Sequence, residues 1–234
     1  MDVAEAVERR FTCRAFLPTP VPLPTVARVI DLARRAPSGG NLQPWRVWAL
    51  AGSELERVKA AIRARIMAGQ LIEGQVDFMI YPPDLKEPYL TRRFRNGEAL
   101  YQALGIGRRD HAARVRQVTA NFELFGAPVG IFIGIDRGMQ QGQWADLGIF
   151  LQTLMLAAKA EGLDTAPLES WTLWPGVVRE ALAMEDNMML FCAVALGHAD
   201  AQAPVNRFRA ERAPLEEIAT FRGFEAVPAQ TDAQ

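Results

Sequence analysis

The chain has 234 residues, half of them hydrophobic and 23% charged, enough apolar material for one substantial core and too much for a disordered chain. With 26 Lys and Arg against 27 Asp and Glu the formal net charge is −1, so there is no global basic field to attract nucleic acid. Cys13 and Cys192 lie far apart and the two histidines, His111 and His198, share no motif, which argues against a disulfide framework and a metal cluster and for a reducing, cytoplasmic setting.

In chain order, residues 3–10 read as a short helix. Four prolines within 18–24 predict a rigid extended connection. Val26, Val29, Ile30 and Ala33 recur at helical spacing over 25–36, and Pro37 then stops the helix. Residues 46–50 read as a buried strand, and 54–68 as a helix with Ser53 at its N-cap. The stretch 69–96 is the least regular, because Tyr81-Pro82-Pro83-Asp84 and Glu87-Pro88 both interrupt it. Helices follow at 98–104 and 111–125, and a strand at 129–135.

Residues 144–161 form the most apolar helix, with Leu147, Phe150, Leu151, Leu154 and Leu156 spread around its surface. All-round apolarity predicts burial in a core or a subunit interface. A short strand or loop over 163–173, a helix over 175–184 opening on proline, and an apolar strand over 188–196 complete the body. The apolar runs are too short to span a bilayer, and the N-terminus lacks the basic-then-apolar pattern of a signal peptide. One domain over 1–234 is expected, with 199–234 an extension that wraps its own body or a partner subunit. Helices and strands mix without regular βαβ alternation, so the fold class is α+β.

Several chemistries fall away. There is no G-x-S-x-G elbow and no phosphate loop of the Walker type. Gly105-Ile106-Gly107 is followed by Arg108-Arg109-Asp110, so a dinucleotide glycine fingerprint fails at its third glycine. What remains is a set of anion- and amide-binding pieces. In an extended segment Arg10, Thr12 and Arg14 share one face, and two guanidinium groups with a hydroxyl suit a phosphate. The alternative is an exposed basic helix end anchored by Phe11 and Phe16.

Ala36-Pro37-Ser38-Gly39-Gly40-Asn41-Leu42-Gln43-Pro44-Trp45 is a compact polar turn with outward N–H groups and amides, or simply a helix stop. Glu169, in Pro167-Leu168-Glu169-Ser170, is a single carboxylate in an apolar neighbourhood or a solvated loop acid. Asn206-Arg207-Phe208-Arg209-Ala210-Glu211-Arg212 is a basic run, commonly a solvated face.

Arg9-Arg10-x-Thr12-x-Arg14-x-Phe16 and the 36–45 turn together resemble the opening signature of the FMN-dependent nitroreductase family. The resemblance continues through Gly126-Ala127-Pro128, the long apolar helix, Pro167-x-Glu169 and Arg212-x-Pro-Leu-Glu-Glu, and is nearest to the nitrobenzoate and nitroarene reductases. It implies a central mixed or antiparallel sheet flanked by helices, in an intertwined homodimer with an FMN at each interface. It implies further that Arg10, Thr12 and Arg14 hold the phosphate and the pyrimidine side of the flavin, with Phe11 serving through its backbone. Arg209 and Arg212 would complete the phosphate site. Pro37, Ser38, Gly39 and Asn41 would reach the flavin edge of the opposite subunit, and Pro167, Leu168, Glu169 and Ser170 would lie by N5.

Phe122, Phe125 and Trp171 are candidates for an aromatic substrate wall, or equally for core packing. Hydride chemistry on FMN needs no side-chain nucleophile and no metal. The expected activity is NADH- or NADPH-dependent reduction of a nitroaromatic or quinone acceptor. Alternatives are flavin cleavage, reductive dehalogenation or dehydrogenation on the same fold, or flavin binding without turnover. Phe11 and Ser170 depart from the family's more usual polar residue and glycine, and no contact from 69–100 can be assigned.

Overall fold

The computed structural model describes residues 1–224; the last ten residues of the expected C-terminal extension, 225–234, lie outside them. The helices are α1 (Val3–Arg9), α2 (Leu23–Ala33), α3 (Gly52–Met67), α4 (Tyr89–Ala103), α5 (His111–Thr119), α6 (Gln141–Ala160), α7 (Pro175–Leu182) and α8 (Leu215–Ile218). The strands β1 (Arg46–Ala51), β2 (Val129–Asp136), β3 (Asp164–Leu168) and β4 (Met188–Gly197) form one antiparallel sheet in the order β1-β2-β4-β3. The fold is α+β, and the sheet is antiparallel.

The sheet lies between two helical layers. Val129, Ile131, Ile133 and Ile135 of β2 face one cluster, with Val29 of α2 and Leu147, Phe150 and Leu154 of α6. Phe132 faces the other cluster, with Leu55, Val58 and Ile62 of α3 and Val177 and Val178 of α7. This is the two-residue period of a strand buried on both faces. A bulge between Ile133 and Gly134 leaves Phe191 of β4 without a register partner. Accordingly the alternation in β4 switches, from Met188 and Leu190 to Ala193 and Ala195 on the α3/α7 face.

Several boundaries differ from the sequence reading. Strand β1 is an edge strand, half-exposed rather than buried, since it pairs only with β2. It runs straight into α3, so Ala51, still extended, occupies the N-cap and Ser53 falls inside the first turn. Helix α4 starts at Tyr89, well before residue 98, because Glu87-Pro88 opens the helix instead of breaking it: proline has no N–H to lose there, and the Thr91 N–H donates to Glu87 Oε2 at 3.2 Å. Helix α5 ends at Thr119 and passes into a 3-10 segment, Ala120–Gly126, in which left-handed Leu124 and Phe125 (φ 52° and 53°) turn the chain into β2. Helix α2 takes in Leu23 and Pro24 from the expected extended connection and stops at Ala33.

Candidate functional site

The site begins where α1 ends. The backbone of Arg10 is extended, and the segment after it runs beside β3: Thr12 bridges Thr165 in parallel, and the Cys13 N–H donates to Thr165 O at 2.9 Å. Cys13 is fully buried, its thiol pushed up to about 12 chiefly by burial, while its neighbours Thr12 and Arg14 remain partly open. Burial lowers the Arg14 guanidinium below its ordinary value; Arg14 Nη1 donates to Thr12 O at 3.3 Å.

The C-terminal segment docks on this one through a residue that sequence reasoning missed. Asn206, buried, accepts the Arg14 N–H on Oδ1 at 2.8 Å and donates from Nδ2 to Ala15 O at 2.8 Å and Asp200 O at 2.9 Å. That docking carries Arg209 and Arg212 to the N-terminal cluster. Arg209 lies with its guanidinium carbon 4.1 Å from the Phe11 ring centroid, and its Nη1 donates to Asn206 O and Phe208 O. Arg212 donates to Ala210 O and Glu211 O. Burial, and then the charge of Arg212, lower the Arg10 guanidinium. Among the described residues Arg10, Arg14, Arg209 and Arg212 form no ion pair, although the rest of the surface carries many.

Helix α4 and the 208–217 segment enclose a cleft that Arg209 and Arg212 share, and that Arg10, Thr12 and Arg14 do not line. Arg92, Arg95, Phe208, Arg209, Arg212 and Pro214 are among the residues lining this cleft of about 690 Å³, and Arg92 holds Glu217 of α8 at 2.6 Å. From 69–100, Arg92, Phe94, Arg95, Asn96, Glu98 and Ala99 line this cleft, and Glu98, Glu211 and Glu217 bring carboxylates to it alongside the arginines; no local signal distinguishes Arg92 and Arg95 from Arg93.

At the end of β3, Pro167 is partly open, Leu168 is buried and Glu169 is exposed at the start of a 3-10 turn, Glu169–Leu173. Partial desolvation raises the Glu169 carboxyl above its ordinary value. Ser170 Oγ is buried without a hydrogen-bond partner among the described residues, as are Thr165 Oγ1 and Arg10 Nε. Unpaired buried polar atoms are costly. Two more, Trp174 Nε1 and Arg179 Nε, lie at α7, so of the five it is Arg10 Nε, on a cation near the charge of Arg212, that points to an anionic ligand.

The 37–43 turn has a different anchor. The Gly39 N–H points at both carboxylate oxygens of Asp146 on α6, 3.2 Å each, and the Gln43 N–H donates to Ser38 Oγ at 3.0 Å. Left-handed backbone falls on Gly40 (φ 57°) but also on Asn41 (57°) and Gln43 (51°), so glycine alone does not carry the turn. Asn41 is exposed and Pro37 opens the turn, with no hydrogen bond from it to Arg10, Thr12 or Arg14 among the described residues. The sequence analysis missed Asp146; a lone carboxylate in the most apolar helix is the signal that could have found this anchor.

The aromatic candidates do not form a wall over a cleft. Trp171 is fully buried, its Nε1 donating to Asn121 O at 2.9 Å, and packs edge-on to Phe132 and Phe122. Phe122 is core as well, and buried Phe125 only borders a shallow groove beside Arg14 and Gly126. Large rings next to the sheet are drawn into the core by the area they bury.

The donor set fits a phosphate monoester carrying a polar ring system. Arg10 and Arg212, which form no ion pair among the described residues, and the orphaned Arg10 Nε suit the first. The 167–170 segment, which continues the strand that Thr12 bridges at Thr165, is the candidate for the second, while Arg14 lines a separate groove. The family model for the nitroreductase family matches residues 7–198. The chain is 36% identical to the 4-nitrobenzoate reductase of Pseudomonas putida over 96% of this chain and 97% of that one. It is 37% identical to the chloronitrobenzene nitroreductase of Comamonas testosteroni, over 94% and 96%. Among solved structures, the FMN and NADPH-dependent nitroreductase NfnB from sphigopyxis sp. strain HMH superposes with a TM-score of 0.92 at 44% identity, covering 96% of this chain and all of that one. NfnB from Mycobacterium smegmatis in complex with NADPH superposes at 0.88 with 33% identity, covering 95% of this chain and all of that one. Likeness of this extent, over both sequence and fold, makes the chain a member of the nitroreductase family.

Proposed function

We propose that the chain is an FMN-dependent, NADPH-using reductase of nitroaromatic compounds, working as a homodimer. The observation that carries the reading is Arg10 Nε, buried without a partner among the described residues, near Arg212 where the N-terminal and C-terminal segments meet. Arg10, Thr12, Arg14, Arg209 and Arg212 would hold the FMN phosphate and pyrimidine side, and the 167–170 backbone would face the ring edge. When bound, FMN supplies the hydride chemistry between nicotinamide and acceptor. Arg14, its backbone N–H held by Asn206 and its partly desolvated guanidinium donating to Thr12 O, would offer positive charge to an electron-rich ring edge, and that charge is worth more in a site closed to water. The relatives named above are nitro reductases, which favours this activity over flavin cleavage, dehalogenation or dehydrogenation.

The dimer is supported by apolar surface on α6 and α2. Ile149 and Leu32 are exposed, and Leu151 and Leu156 only partly covered. In that dimer 37–43 would serve the partner's flavin; the extension first docks on its own body through Asn206 and Arg209, and its exposed Leu215, Ile218, Phe221 and Phe224 would then meet the partner. Two free, buried cysteines agree with a reducing cytoplasm, and among the described residues no helix is long and apolar enough to cross a membrane. Purified protein should be yellow, bleach with NADPH in the absence of oxygen, and recover its colour on addition of 4-nitrobenzoate. Colourless protein that takes up no FMN overturns the reading.

A further inference from the structure

Phe11 stands between two residues of the phosphate cluster, Arg10 and Thr12, where a polar side chain would be the simpler choice for anion binding. Its ring is half-buried against the α3/α7 core cluster, so the ring itself is held in place. Two cations approach it. The Lys159 ammonium is 5.7 Å from the ring centroid but is committed to Asp164 at 2.6 Å, with both side chains largely buried. The Arg209 guanidinium is nearer, 4.1 Å from the centroid, and has no carboxylate partner among the described residues.

Arg209 follows the 3-10 turn Pro204–Arg207 and is itself in no regular element, so its own segment does little to fix its long side chain. Ordering a free arginine on binding costs conformational entropy, and holding it beforehand removes that cost. Two contacts hold it. Its Nη1 is tied to Asn206 O and Phe208 O, and its plane lies over Phe11. A guanidinium carries five N–H donors, so those on Nε and Nη2 remain for an anion.

We propose that Phe11 is a positioning residue: its ring is the platform that holds the Arg209 guanidinium ready for the phosphate monoester of FMN. The proposal rests on the assignment of that phosphate to the Arg10–Arg209–Arg212 cluster. It explains why an aromatic side chain is useful at a position where only the backbone was expected to serve. It also separates two flavins, since riboflavin lacks the phosphate and gains nothing from the platform.

The test is a fluorescence titration of the flavin-free full chain with FMN and, in parallel, with riboflavin. Arg209→Ala should weaken FMN about tenfold or more, the scale of a lost charge-assisted hydrogen bond, and leave riboflavin unchanged. Phe11→Leu should weaken FMN about two- to fivefold, as for a solvent-exposed cation–π contact, again without changing riboflavin. Phe11→Trp, which keeps a ring face, should hold the FMN-to-riboflavin preference at or above that of the unchanged chain. If Arg209→Ala lowers that preference but Phe11→Leu does not, or if Phe11→Leu weakens both flavins equally, the platform is overturned and the phosphate assignment stands. If Arg10→Ala and Arg209→Ala both leave the preference untouched, the phosphate assignment itself fails and the platform with it.

Discussion

Arg10 keeps Nε out of contact with solvent and without a partner among the described residues, at a point where Arg212 adds a second positive charge. Such an arrangement costs free energy in the absence of an anion and is relieved by one. Arg10→Ala should therefore weaken FMN binding by roughly 1.5–3 kcal/mol, tenfold or more, while leaving the flavin-free protein at least as resistant to denaturant. Flavin retention on dialysis and urea unfolding check the two halves. Glu169 makes a pH-dependent case. Its carboxyl is raised in the folded state by partial desolvation, so folding favours its protonated form. That favour is complete at acid pH and is lost as pH climbs through the ordinary carboxylate range to the raised value. The stability of Glu169→Gln relative to the unchanged chain should then increase with pH across that window, and denaturation at pH 4 and pH 7 compares the two ends. The residue types of the cluster were visible in the sequence: arginines and a threonine at alternate positions suit an anion, or an exposed basic helix end. The side chain of Asn206 was not, because an asparagine near a turn looks the same whether or not it is buried.

At the scale of elements, β2 is the informative strand. Gly130 and Gly134 share the α3/α7 face with Phe132, and both lie where a Cβ would collide. At Gly134 it would come within 2.8 Å of Trp48 Cζ3 and 3.1 Å of Met189 O, next to the bulge that resets β4. A backbone oxygen cannot swing aside as the end of a side chain can. Gly134→Ala should cost about 1–3 kcal/mol, the usual scale of overpacking, measured by chemical denaturation. The apolar runs of β2 and β4 were visible as strands because burial on both faces leaves no polar position to confuse the pattern. Helix α4 was shortened in the sequence reading because Glu87-Pro88 looks the same whether it ends a helix or begins one. Only the acceptance of the Thr91 N–H by Glu87 decides between them.

For the whole molecule, cofactor and assembly should be linked. If 37–43 serves the partner's flavin, FMN binds the dimer better than the monomer, and each favours the other by mass action. Removing FMN should raise the dimer dissociation constant in sedimentation, and adding it at a hundredfold excess over its Kd should stabilise the fold by about 2.7 kcal/mol. A flavin-saturated monomer of full stability would contradict the linkage.

The amino-acid sequence by itself determined the α+β character, the buried central strands, the apolar helix α6 and the residue types of the arginine cluster, since each depends on composition and short-range period. Only the tertiary structure decided which of these pieces meet. Asn206 bonds Arg14 across 192 positions, and Gly39 reaches Asp146 across 107. Phe122 and Trp171 went to the core instead of a cleft. Contacts of that separation are set by the path of the whole chain, and a local pattern carries no record of that path.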